Sequence, residues 1–215
     1  MKTTFPIRKS KGFTLVELLV VIAIIITLAG ISMLVIQGVR AKASETQAKS
    51  QASDLKQAVD NYMLDHAGLP PAVLSPKENR RATEQGQIEL TTAIDDSSKM
   101  MAILTNYMDG SRDFKNKNTK KKTYFNATTT DEDNQPGLHF ADKGRVGLLD
   151  PWGAPYYVII STESMDSPRI HVGTKMVPSS SAVYSTGKDL SGSTADGQIN
   201  NPDKTEDNIT TFGKK

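Results

Sequence analysis

A long apolar segment that contains a single acidic side chain most constrains this chain. Within residues 13–36 the only strongly polar side chain is Glu17, and about 20 apolar residues suffice to cross a bilayer as a helix. The pattern therefore predicts a transmembrane helix over residues 13–36. A carboxylate at bilayer depth costs about 2.5–3.5 kcal/mol on insertion scales, so we expect Glu17 to have a partner in the assembled state.

A short motif leads directly into this apolar segment: Lys11-Gly12-Phe13-Thr14-Leu15-Val16-Glu17. A cut after Gly12 would create a free amine on Phe13, which could pair with Glu17 of a neighbouring copy. The same cut would remove four cations: Lys2, Arg8, Lys9 and Lys11. Cleavage would therefore convert the penalty of a buried carboxylate into a force for assembly.

The motif resembles the processing site of type IV pilins and type II secretion pseudopilins. The resemblance implies that a prepilin peptidase cleaves between Gly12 and Phe13, that the new amine is methylated, and that Glu17 sets the register between subunits. It also implies a homo-oligomeric helical fibre, with minor pseudopilins and an inner-membrane assembly platform as further partners. One departure is Leu34, where many relatives have a helix-breaking proline.

A secretory signal peptide and a plain signal anchor are two simpler interpretations of this N-terminus. A secretory signal peptide would have a shorter apolar core and a small-x-small cleavage site on its far side, which residues 29–32 match poorly. A plain signal anchor, with Glu17 near the interface, stays open. Basic residues precede the segment, which predicts a cytoplasmic N-terminus. We expect a single-pass protein of the bacterial inner membrane with a periplasmic C-terminal domain.

Composition agrees with an exported domain of modest size. The chain has 26 basic and 24 acidic residues, and loss of the four leader cations leaves 22 against 24, a net charge of −2. This balance gives no overall attraction for nucleic acid, which we do not expect as a partner. The chain has no cysteine, so no disulfide can fasten the exported part.

After the apolar segment the pattern predicts a helical extension. No Gly or Pro interrupts residues 39–67, and Gly68 with Pro70 and Pro71 should end the helix. An apolar face recurs at helical spacing: Ala41, Ala48, Ala52, Leu55, Val59, Tyr62 and Met63. We therefore expect a leader at 1–12, a membrane segment at 13–36, an amphipathic extension at 37–67 and a pilin-like globular domain at 68–215.

The middle of the chain is less like the family and looks enlarged by insertion. Residues 69–81 are polar and contain prolines, which predicts a loop. Residues 88–108 have a rough apolar face, which predicts a second helix in the core. Residues 115–122 form a lysine cluster. We expect a solvated loop there, and contact with nucleic acid is the sharper alternative.

The C-terminal third predicts strands and turns. The run Asp150-Pro151-Trp152-Gly153 fits a type I turn. Three β-rich segments follow, at 156–161, 169–172 and 182–185, and they predict a small antiparallel meander. Residues 150–156 and 183–189 resemble the major pseudopilin of type II secretion. The fold class is therefore α+β, with a long N-terminal helix packed on a small antiparallel β-sheet and a loop-rich C-terminal region.

The tail is rich in acidic side chains that could hold a metal ion. Calcium takes six to eight oxygen ligands, and major pseudopilins hold calcium in the corresponding region. Asp189 and the stretch Glu206-Asp207-Asn208-Ile209 match that region most closely. We therefore predict Asp189, Asp203 and Asp207 as ligands. A mobile acidic tail without metal is an equally open reading.

No catalytic motif stands out, so we do not expect an enzyme. The three histidines, His66, His139 and His171, are isolated, and no phosphate-binding glycine loop is present. The sequence predicts a structural subunit of a type II secretion pseudopilus that supports protein export. A type IV pilus subunit, for adhesion, motility or DNA uptake, is the alternative.

Overall fold

The computed structural model describes residues 13–95, 99–107, 117–131, 135–141, 144–163, 166–172, 175–188 and 209–211. Residues 31–37 and 175 are described by their backbone alone. The chain divides into two compact units, Met1–Ala43 and Ser44–Lys215.

Helix α1 spans Leu15–Asp65. It ends where the sequence predicts, because Ala67 and Gly68 adopt left-handed backbone conformations (φ 56° and 82°) and Gly68 N donates to Met63 O at 2.7 Å. Within the described part of the chain, no helix combines the length and the apolar character needed to cross a membrane. The predicted membrane segment includes residues 31–36, whose side chains lie outside the described part, so that segment stays a prediction.

The described residues of the second unit form ten further elements. In chain order they are α2 (Pro76–Gln85), β1 (Gln87–Thr91), α3 (Met100–Leu104), β2 (Gly137–Ala141), β3 (Arg145–Leu149), β4 (Tyr157–Ser161), β5 (Ile170–Val172), β6 (Lys175–Val177), β7 (Ser181–Ser185) and β8 (Ile209–Thr210). A four-stranded antiparallel sheet has the order β1-β4-β7-β8, and β2–β3 and β5–β6 are separate antiparallel pairs. The predicted α+β fold class is confirmed.

The second half of α1 packs on one face of this sheet. Its predicted apolar face is buried except for Ala41, which is exposed. The sheet contributes a matching row of buried side chains to the same cluster: Ile88, Leu90, Val158, Ile160, Val183 and Ile209. Hydrogen bonds fix the register, since the hydroxyls of Ser180 and Ser181 donate to Asp60 Oδ1 at 2.8 and 2.6 Å.

Two predictions for the middle of the chain are wrong. Residues 88–108 do not form one helix, because Ile88 and Leu90 are buried in alternation with less buried neighbours and belong to β1. Among the described residues of this range, the helical ones are Met100–Leu104. The predicted loop at 69–81 contains the start of α2, where Ser75 and Glu78 form a capping box.

The predicted strands of the C-terminal third are confirmed within one residue at their ends, as β4, β5 and β7. The predicted meander is wrong, because β4 pairs with β7 directly and β5, which lies between them in the chain, pairs with β6. The β5–β6 pair contributes to a second apolar cluster that also includes Ile159, Ala182 and Tyr184. Both faces of the sheet therefore bury apolar side chains.

Candidate assembly site at the start of the first helix

Glu17 closes a capping box with Thr14 at the start of α1. Thr14 N donates to Glu17 Oε2 at 2.8 Å, and the Thr14 hydroxyl donates to the same oxygen at 2.7 Å. In return, Glu17 N donates to Thr14 Oγ1 at 3.3 Å. These bonds satisfy backbone N–H groups that have no partner within the helix. They also fix the position of the Glu17 side chain relative to the helix axis.

The two oxygens of the Glu17 carboxylate are not equivalent in this arrangement. Both bonds from Thr14 end on Oε2, and within the described part of the chain no donor reaches Oε1. A negative charge here is also favoured by the positive end of the helix dipole. The capping box therefore holds Glu17 in place through Oε2, and Oε1 has no donor among the described residues.

The first turns of α1 present a continuous apolar surface. Every described side chain from 13 to 30 is exposed. The large apolar members are Phe13, Leu15, Val16, Leu18, Leu19, Val20, Val21, Ile22, Ile24, Ile25, Ile26 and Leu28. Soluble monomers rarely expose a contiguous apolar surface of this kind, so it marks contact with lipid or with another protein.

The predicted processing site is only partly within the described residues. Phe13 is 77% exposed and directly precedes the capping box, whereas Gly12 and the rest of the leader lie outside the described residues. Cleavage after Gly12 and pairing of the Phe13 amine with Glu17 therefore stay predictions. Thr14 was missed as the intramolecular partner of Glu17, although the spacing Thr-x-x-Glu signals a capping box.

The predicted metal ligands Asp189, Asp203 and Asp207 all lie outside the described residues. In the segments that the structure describes, no group of three or more His, Asp or Glu side chains is arranged to hold a metal ion. Calcium binding by the tail stays a prediction.

Asp150 joins the two C-terminal segments that carry the second resemblance. Its carboxylate accepts hydrogen bonds from Trp152 N and Ala154 N, both at 2.9 Å, and from the hydroxyl of Ser185 on β7. The predicted turn forms, with Gly153 N donating to Asp150 O at 3.0 Å. Asp150 and Ser185 are fully buried. This burial outweighs the hydrogen bonds and raises the pKa of Asp150 above its ordinary value.

The lysine cluster is described from Lys117 onward, and Lys115 lies outside the described residues. Lys120 and Lys122 form ion pairs with Asp65 at the end of α1, at 3.0 and 3.1 Å. Tyr124 Oη also donates to Asp65 at 2.9 Å. The hydrogen bonds from the two lysines and the tyrosine lower the pKa of Asp65 well below its ordinary value.

Comparisons with known proteins agree with the N-terminal motif. A family profile described as the prokaryotic N-terminal methylation motif matches residues 7–33. A type IV major pilin protein of Neisseria gonorrhoeae is 29% identical over 107 residues, which cover 47% of this chain and 65% of that protein. A fimbrial protein of Pseudomonas aeruginosa is 34% identical over 103 residues, which cover 48% of this chain and 64% of that protein.

A fimbrial protein of Neisseria meningitidis is 42% identical over 60 residues, which cover 28% of this chain and 35% of that protein. The chain thus spans less than two thirds of the length of these relatives. No solved structure matches the chain. Pilins and fimbrial proteins are structural subunits and not enzymes, and the prediction that this chain is not an enzyme is confirmed on that ground. Its methylation motif and its similarity to pilins and fimbrial proteins make this chain type IV pilin-like.

Proposed function

We propose that this chain is the precursor of a fibre subunit that is anchored in the inner membrane by residues 13–36. A prepilin peptidase removes residues 1–12, and the processed subunits leave the membrane and stack into a helical fibre. The observation that carries the proposal is the exposed apolar surface of α1, with Glu17 positioned at its start. That surface suits lipid before assembly and neighbouring helices after it.

The Phe13 amine and Glu17 would set the register between neighbouring subunits. Thr14 holds Oε2, so Oε1 is the atom that would accept the ammonium of the next copy. Two unit charges about 4 Å apart interact by roughly 4 kcal/mol at an effective dielectric of about 20. Apolar burial along the helix would supply most of the cohesion, at roughly 25 cal/mol per Å² of buried apolar surface.

Two kinds of fibre fit this description, and different observations favour each. A type II secretion pseudopilus, which supports protein export, is favoured by the C-terminal resemblance and by the Asp150–Ser185 contact that joins its two segments. The absence of cysteine also fits a pseudopilus, because type IV pilins more often close their C-terminal region with a disulfide. A type IV pilus is favoured by the relatives, which are named as pilin and fimbrial proteins.

Deletion of the gene in its native host separates these two functions. We expect the deletion to block export of secreted proteins while leaving surface pili intact, and the intact gene to restore export. Loss of surface pili with normal export would instead support the pilus. Loss of neither, together with uncleaved precursor in mass spectra of cells that have the peptidase, would contradict a fibre subunit of either kind.

We also propose that the tail binds a calcium ion, with Asp189, Asp203 and Asp207 as its ligands. If the tail binds calcium, millimolar CaCl₂ should raise the unfolding temperature of the full chain in detergent, and EDTA should reverse the change. A variant with all three aspartates replaced by asparagine is the control and should not respond. An equal response of both proteins would refute this ligand set.

A further inference from the structure

A buried asparagine supports a rigid turn in the lysine cluster. Asn118 is 1% exposed, and its side-chain amide donates to Ile103 O at 3.1 Å and to Lys122 O at 2.8 Å. Its side-chain oxygen accepts from Lys122 N at 3.2 Å, and its backbone oxygen accepts from Lys121 N at 3.1 Å. We name residues 118–122 the lysine turn. The hydrogen bond from Asn118 to Ile103 O fixes the backbone of this turn to the end of α3.

Ion pairs on either side of Lys121 also hold the lysine turn in place. Lys120 and Lys122 are held by Asp65. Lys121, between them, is exposed and has a left-handed backbone conformation with φ 50°. This conformation is unfavourable for a residue with a side chain and persists only where surrounding contacts impose it. The turn therefore presents the Lys121 ammonium from a backbone that is already ordered.

An open acidic cavity lies elsewhere in the same unit, next to α2. It has a volume of about 460 Å³ and is lined by Thr83, Glu84, Gln85, Gly86, Thr162 and Glu163. It lies at the C-terminal end of α2, where the helix dipole is negative and favours a cation. Glu84 and Glu163 are exposed, and within the described residues neither forms an ion pair.

The back of the acidic cavity is also held in place. Thr162 N donates to Gly86 O at 3.0 Å, and the Thr162 hydroxyl donates to Ala82 O at 3.0 Å. These bonds occupy carbonyl groups at the end of α2, which have no partner within the helix. Both charged surfaces therefore stand on ordered backbone, so their contact would require little further loss of conformational entropy.

We propose that the lysine turn of one subunit docks in the acidic cavity of another, with the Lys121 ammonium beside Glu84 and Glu163. This contact rests on the proposed fibre function and adds an interface between globular units. A contact between two different surfaces is heterologous, and such contacts build open helical filaments when the rotation does not close a ring.

Cysteine cross-linking tests the pairing directly, because the natural chain has no cysteine. Cells should co-express full-length Lys121→Cys and Glu163→Cys chains together with the assembly machinery, and fibres should then be oxidised. We expect disulfide-linked dimers only when both variants are present. Dimers formed by either variant alone would show contact between like surfaces and overturn the proposal, and so would the absence of dimers in mixed fibres.

Charge reversal supplies an independent readout. Lys121→Glu, or Glu84→Lys with Glu163→Lys, should lower fibre yield about fivefold at low salt, as expected for exposed ion pairs. The triple variant, with all three charges reversed, should restore most of the yield. Lys188→Glu, an exposed lysine outside both surfaces, should assemble normally.

The outcomes separate this contact from the fibre proposal. Normal yields from the reversed variants, in cells where assembly still depends on Glu17, would overturn the contact and leave the fibre intact. A yield that falls with Lys121→Glu but is not restored in the triple variant would point to another acidic partner, such as nucleic acid, and would also overturn it. An unmodified chain that forms no fibre would overturn both proposals.

Discussion

Replacing Glu17 with alanine is expected to lower incorporation into fibres at least tenfold while leaving cleavage after Gly12 intact. The variant loses the carboxylate that would pair with the Phe13 amine of a neighbouring copy, an interaction of up to roughly 4 kcal/mol. It also loses the acceptor of both hydrogen bonds from Thr14. The measurements are mass spectrometry of the N-terminus and the yield of sheared fibres. Normal fibre yield from Glu17→Ala would refute the pairing.

Two matched variants separate the charge of Glu17 from its role in the capping box. Glu17→Gln keeps an oxygen that can accept from Thr14 but removes the charge, so it should assemble almost as poorly as the alanine variant. Thr14→Val keeps the charge but removes the hydroxyl that donates to Oε2, so its loss of yield should be smaller. If Glu17→Gln assembles normally, the carboxylate charge does not set the register.

Replacing Asp150 with alanine is expected to destabilise the globular unit by about 3–5 kcal/mol. The change leaves Trp152 N, Ala154 N and the hydroxyl of Ser185 without their acceptor, and unsatisfied buried donors cost about 1–3 kcal/mol each. Since small domains are stable by only about 5–15 kcal/mol, this loss is large. Urea unfolding of the full chain in detergent, followed by fluorescence of Trp152, the single tryptophan, measures it.

Asp150→Asn is the control for this experiment. Its amide oxygen can still accept from the two backbone N–H groups, and the hydroxyl of Ser185 can reverse its role to accept from the amide nitrogen. We therefore expect a loss below about 1.5 kcal/mol. Equal losses from the alanine and asparagine variants would show that the hydrogen bonds do not account for the effect.

The raised pKa of Asp150 makes the free energy of unfolding depend on pH. The folded state holds the Asp150 proton more tightly than the unfolded state, whose pKa is near 3.8. The contribution to stability is thus fully present below the unfolded pKa and is lost as pH rises through the raised folded pKa. Relative to Asp150→Asn, which cannot ionise, the natural chain should lose stability over that interval.

Features encoded by residues close in sequence were predicted well. The cleavage motif and the end of α1 at the glycine and proline cluster depend on neighbours a few residues apart. The strand at Tyr157–Ser161 was predicted from its β-rich composition. The capping boxes of Thr14 with Glu17 and of Ser75 with Glu78 are equally local. Both follow from the Ser/Thr-x-x-Glu spacing, which is itself a sequence signal for the start of a helix.

The error at residues 88–108 has a physical cause. Short apolar runs fit a helical or a strand period almost equally well. What decided the outcome was the pairing of Gln87–Thr91 with Tyr157–Ser161, some 70 residues further along the chain. Strand propensity depends on such cross-strand neighbours, which a local window does not contain.

The sequence alone determined the long N-terminal helix, its apolar start with one carboxylate, and the likeness to type IV pilins, because each depends on residues that lie next to one another. Only the tertiary structure decided the strand order and the contacts of Asp150 with Ser185 and of Asp65 with Lys120 and Lys122. These contacts join residues 35 to 57 positions apart. Such distant groups can meet only after the chain has packed around its apolar clusters.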